Sequence, residues 1–146
     1  QVRVGDTCVT SIGGQVNWTT LSDGRFKENI QEDVKGLDFI MKLRPITYNN
    51  KFGKDRITRH SGFIAQEVEN ATNEVGYNFS GIEKPETDDQ FYRLKYDDFV
   101  VPLVKAKQEQ QLLINELQQI VDKLIIEIED LETEINEKDK YEIITT

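Results

Sequence analysis

The chain holds one cysteine, Cys8, and one histidine, His60, in 146 residues. A single thiol excludes an internal disulfide framework and leaves the redox compartment open. One Cys and one His also exclude a Cys/His zinc site within one chain, so no metal or cofactor is expected. His60 sits in "RHSG", which lacks a nucleophile-elbow pattern, and reads as a structural or interface residue. No apolar run approaches the roughly 20 residues of a membrane span, and no signal peptide is visible. Positive charge is scarce as well: 18 Lys and Arg stand against 27 Asp and Glu, a net charge of −9. That balance argues against nucleic acid or an anionic membrane surface as the main partner, since both need a Lys/Arg surface. The chain opens on Gln1 rather than Met, which reads as a fragment or a processed product.

What is present is strongly ionic, with 31% charged and 37% hydrophobic residues. Such a ratio points to a long exposed helix or to a small core with large appendages. The acid is concentrated at the end: residues 103–146 carry 5 Lys and 11 Asp/Glu. Within that stretch Ile114, Leu117, Val121, Leu124, Ile128, Leu131 and Ile135 step alternately by three and four, an unbroken heptad register. A helix from 98 to 139 would be roughly 60 Å long and could not stand alone in water. Ile/Val at a and Leu at d favour a parallel dimer. Leu113 and Ile120 at g with Ile125 at e widen the stripe and suit three strands. Heptads alone leave dimer and trimer open, along with a helix folded back on a monomeric core. The acidic residues from Glu127 to Glu137 interleave with the heptads and read as a solvated face.

Ahead of the helix, residues 22–100 show α+β alternation. Val34, Leu37, Ile40 and Met41 fall at helical spacing, with an end expected near Leu43 because Arg44 precedes Pro45. "PITYNNKF" reads as a strand, "GKDR" as a turn, "GFIAQEVENA" as a short helix and "FYRLKY" as a second strand. Gly76–Gln90 reads as a loop. Residues 1–21 have a β-type pattern with too few apolar residues for a core of their own, so they need strands from elsewhere. Asn17-Trp18-Thr19 matches a glycosylation sequon, a triplet common by chance. The expected architecture is a small mixed domain (22–100), a coiled coil and tail (101–146) and a short stalk (1–21).

The chemistry worth weighing lies in "LSDGRFKENI", where Ser22 precedes Lys27 by five residues. A neutral lysine amine can take the serine proton as general base and release an alkoxide to attack a carbonyl. Exposed lysine is protonated at pH 7, so such a site must desolvate it or set it near another cation. Arg25 offers the second effect and Phe26 some of the first. On a helix or a straight strand the two side chains diverge; they meet only if the chain turns between them. Asp23-Gly24 is a strong turn dipeptide. With Gly24-Arg25 as the central pair, Ser22 and Lys27 become neighbours. With Asp23-Gly24 there they are offset, and the lysine would come from another chain. Taken alone, Ser-x₄-Lys is a weak motif that occurs often by chance, and an ordinary helix-entry turn is the better reading of it.

Four motifs in order change that weighting. "LSDGRFKENI", "LRPITYNN", "RHSGFIAQEVE" and "YDDFVVPLVKAKQEQQLLINELQ" together resemble the C-terminal intramolecular chaperone domain of phage tailspikes and tail fibres, best known from endosialidases. A related domain occurs in the myelin regulatory factor. The resemblance covers roughly residues 20–120. It implies a homotrimer that assists folding of an upstream fibre and then releases itself by autoproteolysis between Leu21 and Ser22. It further implies Ser22 as nucleophile and Lys27 as base, with Asp23, Arg25 and His60 as candidate supporting residues. Phe26 stands where aliphatic residues are more usual. Ile30, Gly62, Ile64, Ala65, Gln66 and Glu67 match recurring positions assigned to packing. The parent would belong to a virion tail or a bacterial surface, and the domain would act in the host cytoplasm during assembly. Two alternatives stand beside it: a non-catalytic trimerisation module, and a receptor-binding tip using loop aromatics such as Tyr77 and Phe79.

Overall fold

The computed structural model describes Val4, Val9, residues 12–51 and residues 56–144, with side chains through 138. A small mixed domain contains helix α1 (Leu37–Ile40), strands β1 (Ile46–Tyr48) and β2 (His60–Gly62), helix α2 (Ala65–Glu74), and strands β3 (Ile82–Glu83) and β4 (Arg93–Leu94). A 3₁₀ turn over Tyr96–Phe99 leads into helix α3, Val100–Ile144. The strands form two separate antiparallel pairs, β1–β2 with Thr47 opposite Ser61, and β3–β4 with Ile82 opposite Leu94. The α+β class with a long C-terminal helix is therefore as expected.

The core is aromatic. Phe39 is fully buried among Val68, Ala71, Phe79 and Phe99. Its ring meets Tyr77 and Phe79 with centroids 5.3 and 5.1 Å apart, and Phe79 lies edge-on to Phe99 at 4.8 Å. Offset and edge contacts of this kind add about 1 kcal/mol each to the burial itself. Gly76–Gln90 is thus more than a loop: it contributes β3 and spends its aromatics on the core. Phe79 is buried and Tyr77 is half-buried, with burial first among the causes raising its phenol pKa, so neither is offered to a receptor.

α2 ends as its sequence requires. Gly76 takes the left-handed conformation (φ 62°), Tyr77 N–H donates to Thr72 O at 2.9 Å and Gly76 N–H to Asn73 O at 3.3 Å. This is a Schellman cap, where a glycine escapes the Cβ penalty.

Other expectations are corrected. The helix expected across Val34–Leu43 is a regular helix only at Leu37–Ile40. Gly36 is non-helical (φ −96°, ψ −105°) and lies against α3, where a Cβ would fall 2.8 Å from Ala106 N. Tertiary packing overrides the periodicity. Single turns from Lys42 N–H to Phe39 O and Leu43 N–H to Ile40 O carry the chain to Leu43 before Pro45. The strand expected in "PITYNNKF" closes at Tyr48, and most of the "GKDR" turn lies outside the described residues. The stalk is not a strand where it is described: Val4, Val9 and 12–21 are exposed and pair with nothing in a sheet. A strand needs a ladder partner, and a single chain supplies none there. Cys8 lies outside the described residues.

α3 is not folded back on the domain. Its first turns pack inward through Pro102 and Ala106, both buried, and Pro102 costs little because the first helical N–H groups lack intrahelical acceptors. From Gln110 to Lys138 every side chain is exposed. Ile114, Leu117, Val121, Leu124, Ile128, Leu131 and Ile135 form an uncovered apolar stripe along it.

Candidate active site

Residues 22–27 form a tight polar turn. Asp23 is extended (φ −65°, ψ 131°) and caps the 3₁₀ turn Gly24–Phe26, its Oδ1 accepting from Arg25 N–H at 2.9 Å. Phe26 N–H donates to Asp23 O and Lys27 N–H to Gly24 O, each at 3.1 Å. The Asp23–Phe26 bond makes Gly24-Arg25 the central pair, the placement that brings Ser22 and Lys27 together within one chain. Lys27 Nζ lies 2.9 Å from Ser22 Oγ. That separation lets a proton pass either way along one hydrogen bond.

Asp23 and Arg25 act on the turn rather than on the pair. The Arg25 guanidinium forks onto the Asp23 carboxylate, Nε to Oδ1 at 3.0 Å and Nη2 to Oδ2 at 2.7 Å. The side-chain bonds from Arg25, then its backbone N–H, hold the Asp23 carboxyl below its usual range. Arg25 is therefore a neutralised cation, and its power to push a proton off Lys27 is largely offset by its partner. Phe26 supplies no desolvation in the single chain, being 71% exposed, and Leu21 is 72% exposed. His60 is engaged in the β1–β2 sheet: its Nε2 is 3.3 Å from Asn50 Nδ2 and its ring lies on Tyr48 at 5.6 Å.

Two features escaped sequence reasoning. Asn29 adopts the left-handed conformation (φ 50°) two residues after Lys27 and redirects the chain. Asn is the non-glycine residue that tolerates this best, so its type was a faint signal. Glu109 of α3 accepts the Leu37 N–H at 2.7 Å, a contact across 72 residues with no local signature.

Residues 22–77 match the family described as the chaperone of endosialidase. The match covers less than half of the chain. The matched stretch begins at Ser22 and runs through α1, the β1–β2 sheet and α2, so the serine–lysine turn lies at the start of the matched segment. No curated protein matches the chain. The family so described implies an intramolecular chaperone role for the matched segment. Among the described residues no group of His, Cys, Asp and Glu is placed to hold a metal ion, and no helix is long and apolar enough to cross a membrane.

Proposed function

We propose that this chain is a self-associating intramolecular chaperone that cuts itself from an upstream fibre between Leu21 and Ser22. The observation that carries the cut is the 2.9 Å approach of Lys27 Nζ to Ser22 Oγ. Lys27, as the neutral amine, takes the Ser22 hydroxyl proton, and Oγ attacks the Leu21 carbonyl carbon. The tetrahedral adduct collapses with cleavage of the Leu21–Ser22 C–N bond, and the proton on Lys27 passes to the departing Ser22 amine. The ester left between Leu21 and Ser22 Oγ is hydrolysed by water, giving a Leu21 carboxylate and restoring the hydroxyl. The nucleophile is tethered to its target, so proximity comes without substrate binding and each chain turns over once.

The exposed stripe on α3 supports assembly, with three chains as the state that its width and the family suggest. A trimer seed raises the local concentration of the upstream chains and sets their register, which aids slow non-local β pairing. Cleavage then leaves the assembled product kinetically trapped. Assembly in the host cytoplasm, with a parent in a virion tail or on a bacterial surface, completes the proposal. In one chain Lys27 is exposed, so the desolvation that would free its amine has to come from neighbouring copies.

That same exposure favours a second reading, a trimerisation module in which Ser22 and Lys27 are turn residues only. Intact mass of freshly made protein separates them. Self-cleavage predicts a fragment beginning at Ser22 in the wild type, absent from Ser22→Ala and Lys27→Ala. Uncut chains in all three, with association retained, would leave the module.

A further inference from the structure

We propose that Glu109 is a positioning residue: its clamp on Leu37 ties the chain that carries Lys27 to α3 and so sets the serine–lysine pair against the coiled-coil seam. The inference rests on the dyad reading above. Between Lys27 and α1 the chain has no regular secondary structure, and Glu28–Asp33 are exposed. This arm runs beside α3, with Gln31, Glu32 and Val34 facing Val101, Val104 and Gln108 across a shallow groove. At its base, Leu37 N–H donates to Glu109 Oε2 at 2.7 Å. Among the described residues this is the hydrogen bond that joins the arm to the helix, and its acceptor is a carboxylate, the stronger kind.

Gly36 completes the clamp. A Cβ there would lie 2.3 Å from Glu109 Oε2 and 2.8 Å from Ala106 N, so only glycine lets the backbone approach the helix this closely. Glu109 stands five residues before Ile114, about 7.5 Å along the helix axis. In the heptad frame set by Ile114 at a, Glu109 falls at c, outside the a and d seam. It therefore faces its own domain while the seam faces other copies. A helix fixed by its seam would carry, through this carboxylate, a fixed origin for the arm and for Lys27.

The test uses the full chain with Glu109→Ala, Glu109→Gln and, as a control on the exposed helix, Glu116→Ala. Three quantities are measured: cleaved fraction against time by intact mass, association by sedimentation velocity, and amide exchange over residues 28–37. Glu109→Ala is expected to slow cleavage at least ~10-fold and to speed exchange over the arm, with association unchanged. Glu109→Gln keeps a carbonyl oxygen for Leu37 N–H and is expected to restore both. Where Glu109→Ala loses its fold by circular dichroism, Glu109→Asp, one methylene shorter, takes its place. Wild-type cleavage and exchange in the Ala variant would overturn the proposal, as would a Gln variant no better than Ala, or a loss of association that accounts for the slowing. A wild type that never cuts would sink the dyad reading instead; arm exchange then decides the clamp, and exchange unmoved by Glu109→Ala overturns it.

Discussion

Phe39 and Leu124 are both large apolar side chains on helices, yet one is 0% and the other 50% exposed. The mixed domain closes its core within one chain: Phe39, Val68, Ala71, Phe79 and Phe99 need nothing from outside. The long helix leaves its stripe open, and the serine–lysine turn leaves its lysine in solvent. The first region explains how a chain of this size folds. The second leaves an apolar stripe uncovered over a length that is unstable in water, which is the ground for the self-association proposed above. A difference so sharp invites tests that act on one side and spare the other.

The largest effect is expected in the domain. Phe39→Ala removes the ring that touches Tyr77, Phe79 and Phe99 and should cost about 3–5 kcal/mol. Chemical denaturation should show the loss as a lower midpoint. If the midpoint is unchanged, the core is not organised around Phe39.

A charge in the stripe should do the reverse. Leu117→Lys with Leu124→Lys removes two side chains from the expected seam, each worth roughly 1.5–3 kcal/mol when buried. Sedimentation velocity should show smaller assemblies, while near-ultraviolet circular dichroism from the aromatic core stays as in the wild type. An unchanged sedimentation coefficient would mean that the stripe is not the contact. If the dyad relies on neighbours for desolvation, cleavage falls with association in this variant and not in one altered outside the seam.

What could be read in advance divides along the same line. The heptad register was legible because it depends on local period alone, from Ile114 to Ile135. The turn at Asp23-Gly24 was legible as a turn, but its register was not, since two placements differ by one residue. The hydrogen bond from Phe26 N–H to Asp23 O decides between them. The length of α1 was misread because Gly36 answers to Ala106 and Glu109, about 70 residues downstream, and no window around Gly36 contains them. The resemblance carried by four ordered motifs located the candidate site; it said nothing of the clamp behind it. Arg25 was misjudged for a simpler reason, that its nearest acid was two residues away and took its charge.

The smallest effect concerns the ionic fringe of the domain. Glu69 on α2 accepts from Tyr92 OH at 2.8 Å and pairs with Lys84 Nζ at 2.5 Å. The bond from Lys84, then that from Tyr92, lowers the Glu69 pKa from its usual 4.5. A carboxyl depressed on folding stabilises the fold above its unfolded pKa, and the contribution fades as pH falls through 4.5 toward the folded value. Lys84 and Tyr92 shift upward, with Glu69 first among the causes for each, so their share is complete below their unfolded values and fades as pH rises beyond them. Tyr92→Phe keeps the ring and removes the hydroxyl. Its melting temperature should sit slightly below the wild type at pH 7, and the gap should narrow as the pH falls below 4.5 toward the lowered folded value, where Glu69 protonates. A gap that stays constant across that range would mean that the Tyr92 hydroxyl acts on the fold by some route other than Glu69. Either result leaves the stripe on α3 untouched, since this cluster lies wholly within the part of the chain that completes itself.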